Sequence, residues 1–146
     1  NPITPCICEE PCSCAKYNIL VEDVQNVEFF KIDGYQHAVM KFKDNSIDYV
    51  IDDGSHKIND QIRCMEAYYP KIKTNGKIII EDVGCNEDRL GQKHRTLGNP
   101  KVDECIERIK KRAEELNYDF KLFDFRTNET TYYSVIVELQ KRKNEK

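Results

Sequence analysis

The sequence contains no apolar run that approaches the roughly 20 residues needed to cross a membrane as a helix. This absence predicts a protein without a membrane span. The chain also lacks a signal-peptide pattern, and because it begins with Asn1 rather than Met we expect that residues precede it. A phosphate-binding P-loop motif, a Ser-His-Asp arrangement and internal repeats are absent as well.

No charge of one sign dominates the chain. The net charge is -3, and Lys and Arg are spread along the sequence, which disfavours a nucleic-acid surface. A length of 146 residues is enough for one domain with a moderate core. Of the seven cysteines, Cys64, Cys85 and Cys105 lie singly in element-like segments of the chain, which favours free thiols in a reducing compartment, the cytoplasm.

The hydrophobic periodicity predicts strands that alternate with helices. Helical spacing of apolar residues predicts one helix from Ile58 to Ile72, ended by Thr74-Asn75-Gly76, and a second from Val102 to Leu116. Strands are predicted at residues 27–32, 47–52, 77–81, 120–125 and 132–139, and a long loop at 83–99. The run at 77–81 is nearly all apolar, which is typical of a strand buried on both faces.

This order of elements indicates an α/β domain with a mostly parallel sheet and a C-terminal antiparallel hairpin. We divide the chain into a Cys/Pro-rich irregular segment at residues 1–16, the domain at 17–140 and a basic tail at 141–146.

Reactive side chains follow two of the predicted strands. Asp52, Asp53 and His56 follow the strand at residues 47–52, and Glu81 and Asp82 end the next one. Ligands of open α/β sheets bind beyond the carboxyl ends of the strands. If the two strands are parallel neighbours, both groups face one crevice.

Carboxylates that converge in this way repel one another unless a cation lies between them. Hard oxygen ligands from Asp53, Glu81 and Asp82 suit Mg²⁺ or Ca²⁺. His56 could then act as a general base on a metal-bound hydroxyl. The competing interpretation is that Asp53 or Ser55 caps the helix that follows.

The residues DYVIDDGSH at 48–56 and KTNGKIIIED at 73–82 resemble the class I S-adenosylmethionine-dependent methyltransferases. Within that class the text is most similar to the metal-dependent macrolide-sugar O-methyltransferases and their cephalosporin-hydroxylase-like relatives. The resemblance covers roughly residues 27–139 and implies a Rossmann-like sheet.

The resemblance also implies roles for individual residues. Asp53, Glu81 and Asp82 would hold Mg²⁺, and His56 would be the base that deprotonates a sugar hydroxyl. Residues that would contact the cofactor S-adenosylmethionine are Asp33, Gly34 and Asp52. The expected acceptor is a small molecule or glycan.

The sequence departs from this family at its N-terminal end. The family holds its cofactor with a glycine-rich loop after the first strand and an acidic residue after the second, and this chain has neither. In the family's sheet those strands lie between the strands that correspond here to residues 27–32 and 47–52. We therefore expect this chain to be the C-terminal part of a larger polypeptide, or to receive strands from a partner chain or within a homo-oligomer.

Four of the cysteines form the pattern CxCxxxCxC. In extended backbone each CxC pair points the same way, so four thiolates could hold a structural Zn²⁺. Disulfides and free thiols remain the alternatives. The residues concerned are Cys6, Cys8, Cys12 and Cys14.

The leading functional prediction is therefore a Mg²⁺-assisted, S-adenosylmethionine-dependent O-methyltransferase. One alternative is a degenerate methyltransferase-like module that completes or regulates a partner. The other is a different metal enzyme on the same sheet, such as a hydroxylase or hydrolase.

Overall fold

The computed structural model describes residues 40–85, 98–127 and 135–143, which belong to the second of two units of the chain, Ile32–Lys146. Strand β1 spans Ile47–Asp52 and is followed by helix α1, Ile58–Tyr68. Strand β2 spans Ile72–Ile80 and helix α2 spans Val102–Glu115. Strands β3 and β4 span Tyr118–Asp124 and Val135–Lys141.

The described strands form one sheet in the order β1-β2-β4-β3. Strand β1 runs parallel to β2, with Val50 opposite Ile78 and Asp52 opposite Ile80. Strand β4 is antiparallel to both β2 and β3, which confirms the predicted C-terminal antiparallel arrangement. The α/β fold class is confirmed, and the parallel pair places the carboxyl ends of β1 and β2 at the same edge.

Both helices pack on the same face of this sheet. Met65 of α1 and Ile109 of α2 share one core with Ile78 and Ile80 of β2 and Val137 of β4. Strand β4 alternates between buried and partly buried residues, as expected for a strand with one face packed against the two helices. Among the described residues, no helix is long and apolar enough to cross a membrane.

Helix α1 is shorter than the periodicity predicts. It ends at Tyr68, and Ile72 is the first residue of β2 rather than the last apolar position of the helix. The physical reason is Pro70, which has no N–H to continue the helical hydrogen bonds. The amide of Lys71 instead bonds the carbonyl of Tyr68 in a turn, at 2.9 Å.

The segment Thr74-Asn75-Gly76 lies inside β2 instead of ending the helix. Ile47 pairs with Ile72 and Tyr49 with Lys77, so the β2 side bulges between the two pairs. Gly76 allows the bulge to lie close to β1, because a Cβ atom there would be 3.0 Å from the carbonyl oxygen of Asp48. A glycine in the sequence therefore marked a bulge, and β2 starts earlier than predicted.

Two further expectations need correction. Strand β2 is not equally buried on both faces, because Ile78 and Ile80 are buried while Ile79 is only partly so. Strand β4 extends through Lys141, which is buried, so the predicted basic tail begins inside the sheet. The predicted strand at residues 27–32, the start of the one at 132–139 and most of the loop at 83–99 lie outside the described residues, as does the boundary at residue 16.

Candidate active site at the carboxyl edge of the sheet

The two acidic segments meet at one edge of the sheet, as predicted. Strands β1 and β2 are parallel neighbours, and both end at this edge. The amide of Glu81 donates to the carbonyl of Asp52 at 3.1 Å, which continues the ladder by one residue beyond β2. The side chains that follow each strand are therefore held at a fixed separation by backbone hydrogen bonds.

Three of the predicted residues converge into a cluster, which we call the Asp53–His56–Asp82 cluster. The Nε2 atom of His56 lies 3.2 Å from Oδ1 of Asp53 and 3.6 Å from Oδ2 of Asp82. One potential ligand atom from each residue lies within 4.8 Å of the other two. The side chain of Asp53 is 66% exposed, whereas those of His56 and Asp82 are 19% and 13% exposed. The cluster is thus open to solvent on the Asp53 side.

Glu81 does not belong to this cluster in the structure. Its backbone carbonyl accepts a hydrogen bond from Nε2 of Gln61, at 2.9 Å. Asp82, the next residue, has a φ of 53°, so the chain turns sharply between the end of β2 and Val83. The assignment of Glu81 as a metal ligand remains a prediction.

The cluster offers two carboxylates as potential ligands for a cation. Two carboxylates that face one point repel each other, and a positive charge between them removes that repulsion. Carboxylate oxygens are the ligands that Mg²⁺, Ca²⁺ and Mn²⁺ prefer, so the donor atoms of Asp53 and Asp82 fit the predicted metal. An imidazole facing the same point can accept a proton from a group bound there.

The turn before α1 positions His56 without the predicted helix cap. His56 has a φ of 57°, and the N-cap residue of the helix is Lys57, with no capping side-chain hydrogen bond. The hydroxyl of Ser55 donates to the Asp60 carboxylate at 2.6 Å and accepts from the amide of Lys57 at 3.3 Å, ahead of the first helical residue. Ser55 therefore braces the turn, and the interpretation of Asp53 or Ser55 as the N-cap is wrong.

Asp52 lies beneath the cluster and not in it. It is buried, as expected if its side chain points to the helix-covered face while that of Asp53 points away. Burial, and after it the negative charge of Asp52, raises the pKa of the Cys64 thiol in α1. The assignment of Asp52 to the cofactor remains a prediction.

Sequence reasoning missed Asn99. Its Oδ1 atom accepts from the amide of Ile58 at 2.9 Å, so it satisfies the first amide of α1 from 41 residues away. Its Nδ2 atom donates to the carbonyls of His56 and Cys85, at 2.8 and 2.9 Å. A polar residue directly before Pro100 at the start of a predicted helix was the only available signal, and it does not reveal these distant partners.

The remaining predicted site residues lie outside the described part of the chain. They are the cofactor candidates Asp33 and Gly34 and the zinc candidates Cys6, Cys8, Cys12 and Cys14. The three cysteines that the structure describes, Cys64, Cys85 and Cys105, are all buried.

The fold is that of several solved methyltransferases. A Methanosarcina mazei protein described as an S-adenosylmethionine-dependent methyltransferase superposes with a TM-score of 0.53 at 12% identity, covering 88% of this chain and 74% of that one. This chain has an S-adenosylmethionine-dependent methyltransferase fold. An Archaeoglobus fulgidus protein of the same description gives a TM-score of 0.50 at 14% identity, covering 75% of this chain and 66% of that one.

A Thermus thermophilus protein described as a DNA modification methylase also has this fold. Its TM-score is 0.50 at 10% identity, and the match covers 79% of this chain but only 55% of the methylase. No protein-family profile matches the chain, and no curated protein sequence matches it. At these identities the likeness describes the fold, and the chemistry has to be argued from the residues of the site.

Proposed function

We propose that this chain carries the catalytic edge of an S-adenosylmethionine-dependent O-methyltransferase that acts on a hydroxyl group, specifically that of a sugar, with help from Mg²⁺. The observation that carries the proposal is the Asp53–His56–Asp82 cluster at the carboxyl edge of a methyltransferase-fold sheet. In open α/β sheets this is the edge where ligands bind. The cluster supplies both a cation site and a base at that place.

The chain's own residues have distinct tasks in this mechanism. Asp53 and Asp82 would hold the metal, and Glu81 remains a further candidate ligand. When bound, the metal lowers the pKa of an acceptor hydroxyl. His56 would be the base that takes up the hydroxyl proton. S-adenosylmethionine would supply the methyl group to the acceptor oxygen and leave as the neutral thioether S-adenosylhomocysteine.

The exposure of the cluster leaves one side open to an acceptor. Asp53 is exposed, whereas His56 and Asp82 are largely covered, so an acceptor can approach from one side while the base stays fixed. The net charge of -3 gives no general attraction for a polyanion, so a nucleic-acid substrate is disfavoured for this chain. The buried free thiols support a reducing compartment such as the cytoplasm.

A second candidate function is a methyltransferase-like module that completes or regulates a partner. It is favoured by the absence from the sequence of the family's glycine-rich cofactor loop. Such a module would keep the fold but depend on another polypeptide for cofactor binding.

The test combines cofactor binding with methyl transfer. Calorimetry with S-adenosylhomocysteine measures binding to the purified protein, and radioactive S-adenosylmethionine with a panel of sugars and Mg²⁺ measures transfer. We expect His56→Ala to lower transfer by about 100-fold or more, in line with the loss of a general base, and to leave S-adenosylhomocysteine affinity unchanged. Asp53→Asn should weaken activation by Mg²⁺.

The matched control for the acidic residue is Asp48→Asn. Asp48 is an exposed carboxylate on the same strand, paired with Lys73 at 2.8 Å and remote from the carboxyl edge. This variant should behave as the wild type does. Full activity of His56→Ala would contradict its role as base, and failure of the purified chain to bind S-adenosylhomocysteine without a partner would favour the module.

A further inference from the structure

Two loops form the Asp53–His56–Asp82 cluster, and each accepts a hydrogen bond from a residue outside both loops. The loop at residues 53–57 connects β1 to α1, and the loop at 81–85 follows β2. His56 and Asp82 both have left-handed backbone, with φ values of 57° and 53°. Such conformations in residues other than glycine persist where the surrounding structure holds them.

We propose that Asn99 is a positioning residue that fixes the two loops relative to each other and so sets the geometry of the cluster. Its carboxamide bonds the carbonyl of His56 on one loop and that of Cys85 on the other. The same carboxamide accepts from Ile58, the first residue of α1. The importance of the cluster for methyl transfer rests on the proposed function, but the clamp itself can be tested without turnover.

The chemistry of the three partners selects an asparagine. Two carbonyl oxygens require two N–H donors, and the amide of Ile58 requires an acceptor, which is the donor and acceptor set of one carboxamide. Aspartate keeps the acceptor but presents an oxygen to the two carbonyls, so it loses both donated bonds. Leucine has nearly the same shape and offers no hydrogen bond.

The clamp acts directly on the left-handed residue. The carbonyl of His56 belongs to the peptide unit that follows its Cα atom, and Asn99 holds that unit in place at 2.8 Å. On the second loop, the carbonyl of Cys85 is held at 2.9 Å, while the Cys85 amide bonds the carbonyl of Asp82 at 3.1 Å. The carboxamide of Asn99 is therefore bonded directly to His56 and is linked to Asp82 through Cys85.

The experiment compares the wild type with Asn99→Asp and Asn99→Leu. NMR amide shifts of residues 53–57 and 81–85 report loop geometry without any ligand, and electron paramagnetic resonance of free Mn²⁺ reports the affinity of the cluster for a cation. We expect both variants to shift the amides of both loops and to weaken Mn²⁺ binding by roughly 10- to 100-fold, as replacement of residues that orient metal ligands does.

Hydrogen exchange at Ile58 separates positioning from general support of the helix. Asn99→Asp retains the acceptor for this amide, so its exchange should stay slow, whereas Asn99→Leu should speed it. Loop shifts in the aspartate variant with a protected Ile58 amide would therefore come from the lost donors. The added negative charge alone would strengthen Mn²⁺ binding, so weaker binding cannot be a charge effect.

The matched control is Asn59→Asp. Asn59 is exposed in the first turn of α1 and accepts from Arg108 at 2.8 Å, without a contact to either carbonyl. Its variant should change Mn²⁺ affinity by no more than about twofold. Unchanged loop shifts in both Asn99 variants would overturn the proposal, as would Mn²⁺ affinity equal to that of the wild type. If the wild type transfers no methyl group but the Asn99 variants still shift the amide signals of both loops and weaken Mn²⁺ binding, the clamp is upheld and the proposed function is refuted.

Discussion

Replacement of Gly84 by alanine should destabilise the protein and disturb the candidate site together. Gly84 lies in the loop after β2, two residues beyond Asp82, and has a φ of 71°. A Cβ atom at this position would lie 2.7 Å from the Cα atom of Val102, the first residue of α2. Because the atom in the way belongs to the backbone, the loop or the start of the helix must move.

The magnitude follows from two additive costs. Left-handed backbone costs an alanine roughly 1–2 kcal/mol relative to glycine. Forcing a tightly packed region to accept an extra methyl group costs about 1–3 kcal/mol more. We therefore expect Gly84→Ala to lower the free energy of unfolding by about 2–5 kcal/mol.

Gly98 offers a matched control for the backbone cost. Its φ is 59°, close to that of Gly84, but a Cβ atom there would meet no atom within 4 Å among the residues that the structure describes. Gly98→Ala should therefore cost only the roughly 1–2 kcal/mol of left-handed backbone. The difference between the two variants isolates the contact with Val102.

Urea unfolding followed by circular dichroism measures both variants, provided that the slopes of the transitions agree. Gly84→Ala should also weaken Mn²⁺ binding, because the loop that carries Asp82 has to shift, whereas Gly98→Ala should not. Equal destabilisation by the two substitutions would refute the steric argument.

Two further predictions concern buried groups. Lys141 donates hydrogen bonds to the carbonyls of Tyr69 and Ile72, both at 2.9 Å. Because Lys141→Met leaves these buried carbonyls without their donor, it should lower the free energy of unfolding in urea by about 2–4 kcal/mol. The control Lys121→Met, at an exposed position, should be nearly neutral. Burial lowers the pKa of Lys141 against the opposing effect of Asp44. Between this lowered pKa and about 10.4, unfolding takes up a proton at Lys141, so the contribution of this residue to stability rises with pH. The loss of unfolding free energy caused by Lys141→Met should therefore grow with pH across this window, and an equal pH dependence of the two proteins would contradict this. Burial raises the pKa of Cys105 to about 11, so iodoacetamide at about pH 8 should modify this thiol only slowly in the folded protein and readily in urea; rapid modification of the folded protein would contradict the buried position.

The strands at the candidate site were predictable because they combine apolar runs with polar ends. Strand β1 has the predicted bounds, and its parallel pairing with β2 brings the two acidic segments to one edge. The sequence could also have separated the roles of Asp52 and Asp53, because neighbouring residues of a strand point to opposite faces. Asp52 is buried and lies on the same side of β1 as the half-buried Val50, and the exposed Ile51 lies between them.

The errors come from interactions that periodicity does not contain. The apolar spacing continued past Pro70 to Ile72 by coincidence, since Ile72 is buried as a strand residue and not as a helical one. The bulge at Gly76 concealed the first half of β2 because its residues look like a turn. Asn99 acts across 41 and 43 residues of sequence, and no local pattern indicates which backbone groups a carboxamide will find.

The backbone of the site adds an argument for function that the sequence alone could not supply. Five residues other than glycine have a positive φ in the described part of the chain, and three of them are asparagines, the type that tolerates this conformation best after glycine. The other two are His56 and Asp82, which are also the two side chains that face each other across the cluster. Glycine would relieve roughly 1 kcal/mol at each position, as the chain's own Gly84 and Gly98 do at similar φ values. Aspartate and histidine, like asparagine, adopt this conformation more readily than most residues, so the backbone cost at His56 and Asp82 is small for side chains that glycine lacks.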